Sequence, residues 1–276
     1  MLARQGQTFA SPGRDFFPIS MTPKLPQILW VVRHGQSAGN VARDAAEANG
    51  LHVIDIATRD IDVPLSALGQ RQADSLGRWF GALAPHEQPQ VVLCSPYVRA
   101  METARLILES AGIRQAVTLR MDERLREKEF GILDRLTKLG IIDKYPELSE
   151  QRAHVGKFYF RPPGGESWCD VILRLRSLLE MTTREYAGQR VLVVAHQVIV
   201  NCMRYLVEQM DEATILGIDQ LGDIPNCSIT SYRAVGEDDG NAEPRFRLDL
   251  VNFLAPLLEE GTPVTAEPDA AVAPNA

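Results

Sequence analysis

The chain lacks long apolar runs, is poor in cysteine and carries no excess of positive charge. No stretch approaches the ~20 apolar residues a spanning helix needs, so a membrane protein is not expected. The four cysteines, Cys94, Cys169, Cys202 and Cys227, form no CxxC pair, and no histidine stands at a ligand spacing from any of them. A disulfide framework and a zinc module are therefore unexpected, and reduced thiols in a cytoplasmic protein are the simpler account. Lysine and arginine number 29 against 36 acidic residues, a net charge of −7. An acidic surface argues against nucleic acid as a partner, although a few inward-facing arginines can still hold a small anion. No repeat recurs at a fixed period. Residues 1–26 lack the continuous apolar core of a secretory signal and read as a loosely ordered extension. Residues 261–276 have the composition of a disordered tail.

What is present alternates. Ile28–Arg33 is an apolar, β-branched run of strand length, and Val91–Cys94, Val117–Met121 and Arg190–Ala195 resemble it. Two later strands are expected near Ser228–Arg233 and Arg245–Val251. Helical periodicity marks Ser66–Phe80, with Ser66 as N-cap, then Tyr97–Ala111, Leu133–Tyr145, Ser167–Tyr186 and His196–Gln209. Residues 41–63 start helix-like and pass into a charged, irregular stretch. The pattern predicts a single α/β domain over 27–255, three layers deep, with a largely parallel central sheet and helices on both faces. Ligands of such sheets gather beyond the carboxyl ends of the strands. Arg33-His34 ends the first strand, Ser95 to Arg99 follows the second, Glu127 follows the third, and His196 ends the fourth. All four converge on one rim.

The segment Arg33-His34-Gly35-Gln36-Ser37-Ala38-Gly39-Asn40 resembles the RHGxSxxN signature of the histidine phosphatase superfamily. Further blocks follow in that family's order: Pro64-Leu65-Ser66 with Gly69 and Gln72, Ser95-Pro96 with Arg99-Ala100, and Arg124-Leu125-Arg126-Glu127 with Phe130-Gly131. Gly165-Glu166-Ser167 and Val193-Val194-Ala195-His196 complete the series. The resemblance covers roughly 27–234 and implies a phosphoglycerate mutase-like fold. It implies a phosphomonoester hydrolase that passes through a phosphohistidine, acts on a small phosphorylated metabolite such as a sugar phosphate, and uses no metal and no cofactor.

The physical chemistry fits those residue types. A neutral imidazole can attack phosphorus near neutral pH, which suits His34 as nucleophile. The transferring phosphoryl group is anionic and needs fixed donors. Arg33, Arg99 and His196 can supply them, with Asn40 as a neutral donor, and an arginine fork binds two phosphate oxygens at once. Gly35 leaves room for close backbone approach. Glu127 is the carboxyl the family pattern places to protonate the leaving oxygen and then activate water. Glu123 and Glu129 compete with it, as Arg105 competes with Arg99, and the RLRExxFG and SPxxRA registers favour Glu127 and Arg99. Gln197 and Arg161 are expected to touch substrate. The adjoining Phe158-Tyr159-Phe160 is either core packing or a substrate wall. Cys169 opens a helix, where a thiol pKa can fall.

Several features depart from the family. Gln197 stands where many members have glycine, as in the bisphosphatase branch, but Gly164 replaces a basic residue that this branch carries. The paired basic residues that mutases insert after the acid glutamate are absent, and 134–160 scatters theirs instead. Asp55, Arg59, Asp60 and Asp62 occupy the place of a short Ser/Thr-Gly-Trp element and are expected to shape specificity. Mutase-type phosphoryl transfer and a non-catalytic phospho-ligand-binding module stand as the alternatives.

Overall fold

The computed structural model describes residues 25–236 and 244–266. Most of the expected N-terminal extension and the last ten residues of the expected tail lie outside them. The elements run β1 (Ile28–Arg33), α1 (Ala38–Ala48), α2 (Ala67–Ala82), β2 (Val91–Cys94), α3 (Val98–Ser110) and β3 (Thr118–Met121). They continue with α4 (Lys138–Lys144), α5 (Pro146–Val155), α6 (Trp168–Glu185), β4 (Arg190–Ala195), α7 (Gln197–Val207) and α8 (Glu212–Gln220). The last are β5 (Ile229–Val235), β6 (Arg245–Phe253) and α9 (Ala255–Glu259).

The strands form one sheet in the order β3-β2-β4-β1-β5-β6. The first four are parallel, while β5 and β6 run antiparallel and close one side. The two-residue period of a strand sends alternate side chains to opposite faces. Leu29, Val31, Val191 and Val193 pack under α6, α7 and α8, against Leu175, Ile199, Met203 and Ile215. Trp30, Val32, Leu192 and Val194 pack on the other face, against Leu76 and Phe80 of α2 and Ile107 and Leu108 of α3. Central strands can be apolar throughout because both faces are covered, and each fully buried Leu, Ile or Val contributes about 1.5–3 kcal/mol.

Local chemistry sets the boundaries. A capping box starts α1: Asn40 N donates to Ser37 Oγ (3.1 Å) and Ser37 N to Asn40 Oδ1 (2.9 Å). The helix expected over Leu133–Tyr145 is instead a 3₁₀ turn at Gly131–Leu133 followed by α4, which Thr137 caps through Gly140 N. Pro146 then opens α5, because proline has no N–H with which to continue α4 and suits a first helical turn.

The first residues of the expected C-terminal tail lie on the domain. Thr262 Oγ1 is 2.7 Å from Ser75 Oγ, Gln72 Nε2 donates to Pro263 O (3.0 Å), and Asn226 N donates to Thr265 O (2.8 Å). Proline-rich, polar composition signalled disorder, yet backbone carbonyls that composition does not report hold 262–265 in place.

Candidate active site

The sheet carries three of the expected residues to one edge. His34 N donates to Ala195 O (2.9 Å) and Ser95 N to Val194 O (3.0 Å), each extending the parallel ladder by one rung. Ser95, His196 and His34 therefore stand side by side where β2, β4 and β1 end, with the His34 and His196 rings 5.1 Å apart. The helices α1, α3 and α7 each begin just beyond these strands. Their N-terminal N–H groups and aligned dipoles make the rim hospitable to an anion.

His34 is held by two bonds that agree on its tautomer. Gly35 O can only accept, so at 2.6 Å it takes the proton of His34 Nδ1. The lone pair is then on Nε2, and Arg99 Nε donates to that atom at 3.3 Å. The carbonyl of His34 accepts from Asn226 Nδ2 (3.0 Å), and Asn226 is itself bound by Thr265. Gly35 packs on Gly69 of α2: a Cβ at Gly35 would meet Gly69 O at 2.5 Å, and one at Gly69 would meet Gln36 O at 2.0 Å. Gln36 N donates to Gln72 Oε1 (2.9 Å). The Pro64-Leu65-Ser66…Gly69 and Gln72 block thus serves as a backbone template for the His34 loop.

Arg99, on the first turn of α3, is buried against Tyr97 with its guanidinium 4.9 Å from the ring centroid. Its outer edge is clamped by Asp60: Nη1 donates to Asp60 O (2.7 Å) and Oδ1 (2.9 Å), and Nη2 to Oδ2 (3.2 Å). Arg105 is exposed and pairs with Glu109. His196 Nε2 lies 2.8 Å from Ser95 Oγ, and its ring is 5.0 Å from Tyr97. Arg33 is buried and donates from Nη1 to Ile224 O. Gln197 donates from Nε2 to Asp223 Oδ1. Asn40 is buried, its amide oxygen committed to the α1 cap.

Glu127 is buried, whereas Glu123 and Glu129 are exposed. Its Oε1 accepts from Lys128 N (2.7 Å), and its carbonyl accepts from Arg174 Nη2 (3.3 Å). Arg174 and Arg126 both bind Glu166 of the Gly-Glu-Ser segment. Burial works to raise the Glu166 pKa, and the hydrogen bonds and charge of Arg174, the Glu129 N–H and the charge of Arg126 together outweigh it, leaving the carboxyl below its ordinary value.

The remaining candidates lie elsewhere. Arg161 is exposed and pairs with Asp170, the acidic partner in the Ser167 cap of α6; no contact joins it to the histidines. Phe158 packs on Trp168 and Tyr205, and Phe160 lies in a small cluster with Leu133 and Leu148. The aromatic triplet is core, apart from exposed Tyr159. The Cys169 thiol is raised, first by burial and then by Asp170 and Glu212, the reverse of the helix-start expectation. Ser95, expected at the rim, contacts His196, and Asp60, expected to shape specificity, meets Arg99.

Beside Arg99 lies a shallow hollow, walled by Ser37 at the cap of α1 and Arg43 within it, by Thr58 and Asp60, and by Phe130 and Asp134. Arg99 both lines it and touches His34. No helix is long and apolar enough to cross a membrane among the described residues.

A family model described as the histidine phosphatase superfamily (branch 1) matches residues 29–240. A 2,3-bisphosphoglycerate-dependent phosphoglycerate mutase of Rhizobium etli (strain CIAT 652) is 33% identical over 195 residues, 69% of this chain and 82% of that protein. A Caenorhabditis elegans 6-phosphofructo-2-kinase/fructose-2,6-bisphosphatase is 31% identical over 180 residues. That match covers 65% of this chain and 34% of the worm protein, so the chain spans about a third of its length. A mycobacterial glucosyl-3-phosphoglycerate phosphatase solved with VO3 superposes with a TM-score of 0.62 at 27% identity, over 82% of this chain and 99% of the other.

Proposed function

Because this chain belongs to the histidine phosphatase superfamily, we propose that it hydrolyses a small phosphomonoester by passing the phosphoryl group through His34. The observation that carries this reading is the fixed tautomer: Nδ1–H on Gly35 O aims the Nε2 lone pair at the rim, beside Arg99.

In the first step Nε2 bonds to phosphorus as the ester P–O bond breaks. Arg33, Arg99 and His196, with the helix starts, hold the equatorial oxygens. Glu127 gives its proton to the departing alkoxide, leaving an alcohol and phospho-His34. In the second, Glu127 takes a proton from water as the water oxygen bonds to phosphorus, and the P–N bond breaks to release inorganic phosphate and His34. Asn40 and Gln197 complete the walls as neutral contacts. Three buried cysteines among four reduced thiols support a reducing, cytoplasmic setting.

The test is covalent trapping. Brief mixing with a ³²P-labelled ester should leave acid-labile, base-stable label on the protein, and His34→Ala should lose both label and turnover. Normal turnover by that variant would overturn the reading. Return of the phosphoryl group to product is the second reading, supported by the likeness to the Rhizobium mutase. Isomerisation of 3-phosphoglycerate in the presence of a bisphosphorylated primer would favour it.

A further inference from the structure

Arg99 turns two edges of its guanidinium to two different partners. The end edge, Nη1 and Nη2, faces Asp60, whose carboxylate accepts from each nitrogen (2.9 and 3.2 Å) while its carbonyl accepts from Nη1 as well (2.7 Å). The side edge, which begins at Nε, faces His34, with Nε 3.3 Å from His34 Nε2. Tyr97 covers the plane, its ring centroid 4.9 Å from the guanidinium carbon. A planar fork gripped at its end and backed by a ring is fixed in direction, so the Nε–Nη2 edge stays turned to where phosphorus must arrive. The grip is itself anchored. Asp60 opens a 3₁₀ turn, Asp60–Asp62, across which Arg59 and Asp62 pair. Arg135 Nη2 donates to Thr58 O (2.9 Å) and Ile54 N to Arg135 O (2.8 Å), tying the segment before the turn to the one that follows Phe130.

We propose that Asp60 is a positioning residue for phosphoryl transfer: it holds the end of Arg99 so that the side edge, Nε and Nη2, receives two oxygens of the phosphoryl group on its way to His34. The inference rests on the phosphomonoesterase reading above. Asp60 touches no reacting atom and acts through Arg99 alone. Its side chain is 44% exposed while that of Arg99 is 2% exposed, so water can solvate the end edge once the carboxylate is gone. What water cannot supply is direction, because it does not hold the fork in one plane. Arg99 serves the phosphoryl oxygens and not the leaving group, so the loss of Asp60 is blind to which ester is cleaved.

Asp60→Ala should lower kcat about 10–100-fold, by the same factor on 4-nitrophenyl phosphate and on glycerol 3-phosphate. Asp60→Asn, which keeps an acceptor for Nη1, should lose less. Added to Arg99→Ala, either substitution should change the rate by no more than about twofold, because the group through which Asp60 acts is already gone. Urea midpoints show whether each variant is folded, and Asp60→Asn carries the comparison if Asp60→Ala is not. An unchanged or raised kcat in the single variants overturns the inference. So does a loss confined to one ester, or a full loss that recurs on top of Arg99→Ala. Any of these leaves the phosphatase reading standing while the wild-type protein turns over 4-nitrophenyl phosphate and carries label on His34. If the wild-type protein hydrolyses no ester, both fall.

Discussion

Ser95 Oγ lies 2.8 Å from Nε2 of His196. The same hydroxyl oxygen accepts from Tyr97 N (3.3 Å), so one side chain links the end of β2, the start of α3 and the second histidine of the rim. Orientation of His196 is expected to depend on it. Ser95→Ala should lower kcat about tenfold with KM little changed, the cost of one buried hydrogen bond at about 1–1.5 kcal/mol. Steady-state rates on 4-nitrophenyl phosphate check this, and an unchanged kcat would detach Ser95 from the chemistry.

Glu127 can be separated from Glu123 by leaving group. An alkoxide departs poorly without a proton, whereas nitrophenolate is already a stable anion. Glu127→Gln should cost about 10²–10⁴-fold on an alkyl phosphate and far less on the first step with the aryl ester. Phospho-His34 should accumulate in that variant for want of a base. Glu123→Gln, altering an exposed residue, should show no such contrast. The reverse pattern would move the acid four residues upstream.

Gly69→Ala tests the template under the nucleophile loop. The added methyl would sit 2.0 Å from Gln36 O, so the His34 loop or α2 must shift. A loss of about 3 kcal/mol in unfolding free energy is expected, with a fall in kcat. Denaturant titration alongside kinetics reads both, and wild-type values for the two would contradict the packing.

Lys128 is buried beside Glu127, with its ammonium 4.2 Å from the Phe130 ring centroid. Burial pushes it down from 10.5 to about 8, against the pull of Glu127 and Glu166. The unfolded chain therefore keeps this proton up to about pH 10.5 and the folded chain only to about 8, so stability from this group rises with pH across that window. Lys128→Met should stabilise the protein at pH 7 by about 2 kcal/mol, discounting the roughly 3 kcal/mol that the full difference would give. The gain should shrink by pH 10. Urea midpoints at the two pH values decide it, and an equal gain at both would mean that Lys128 stays charged throughout.

The legible features were those that local chemistry dictates. Apolar runs gave β1, β2 and β4 to the residue, and strand ends led to His34, Ser95 and His196 before any motif was invoked. Ser66 capped its helix because a serine before an apolar period has few other uses. What escaped depends on distant partners. Asp60 is one of four residues expected to shape specificity, but it sits in a 3₁₀ turn with no periodicity, and its pairing with Arg99 from another element has no local signal. Asn226 reaches the nucleophile loop through the His34 carbonyl, a backbone atom that carries no residue signature. Arg161 looked like a phosphate ligand by type, and Asp170, nine residues on, claims it.

The segment around Thr265 braces the loop that carries His34. The ribosome makes the nucleophile loop early and the parallel strand that flanks it, β4, much later. Asn226, which grips the His34 carbonyl, is in turn gripped by Thr265, while Gln72 joins Gln36 to Pro263 and Thr265. A nascent chain that has emerged only as far as β5 holds every group the chemistry names and still lacks this brace. The brace on the His34 loop is thus complete only when the segment beyond α9 has joined it.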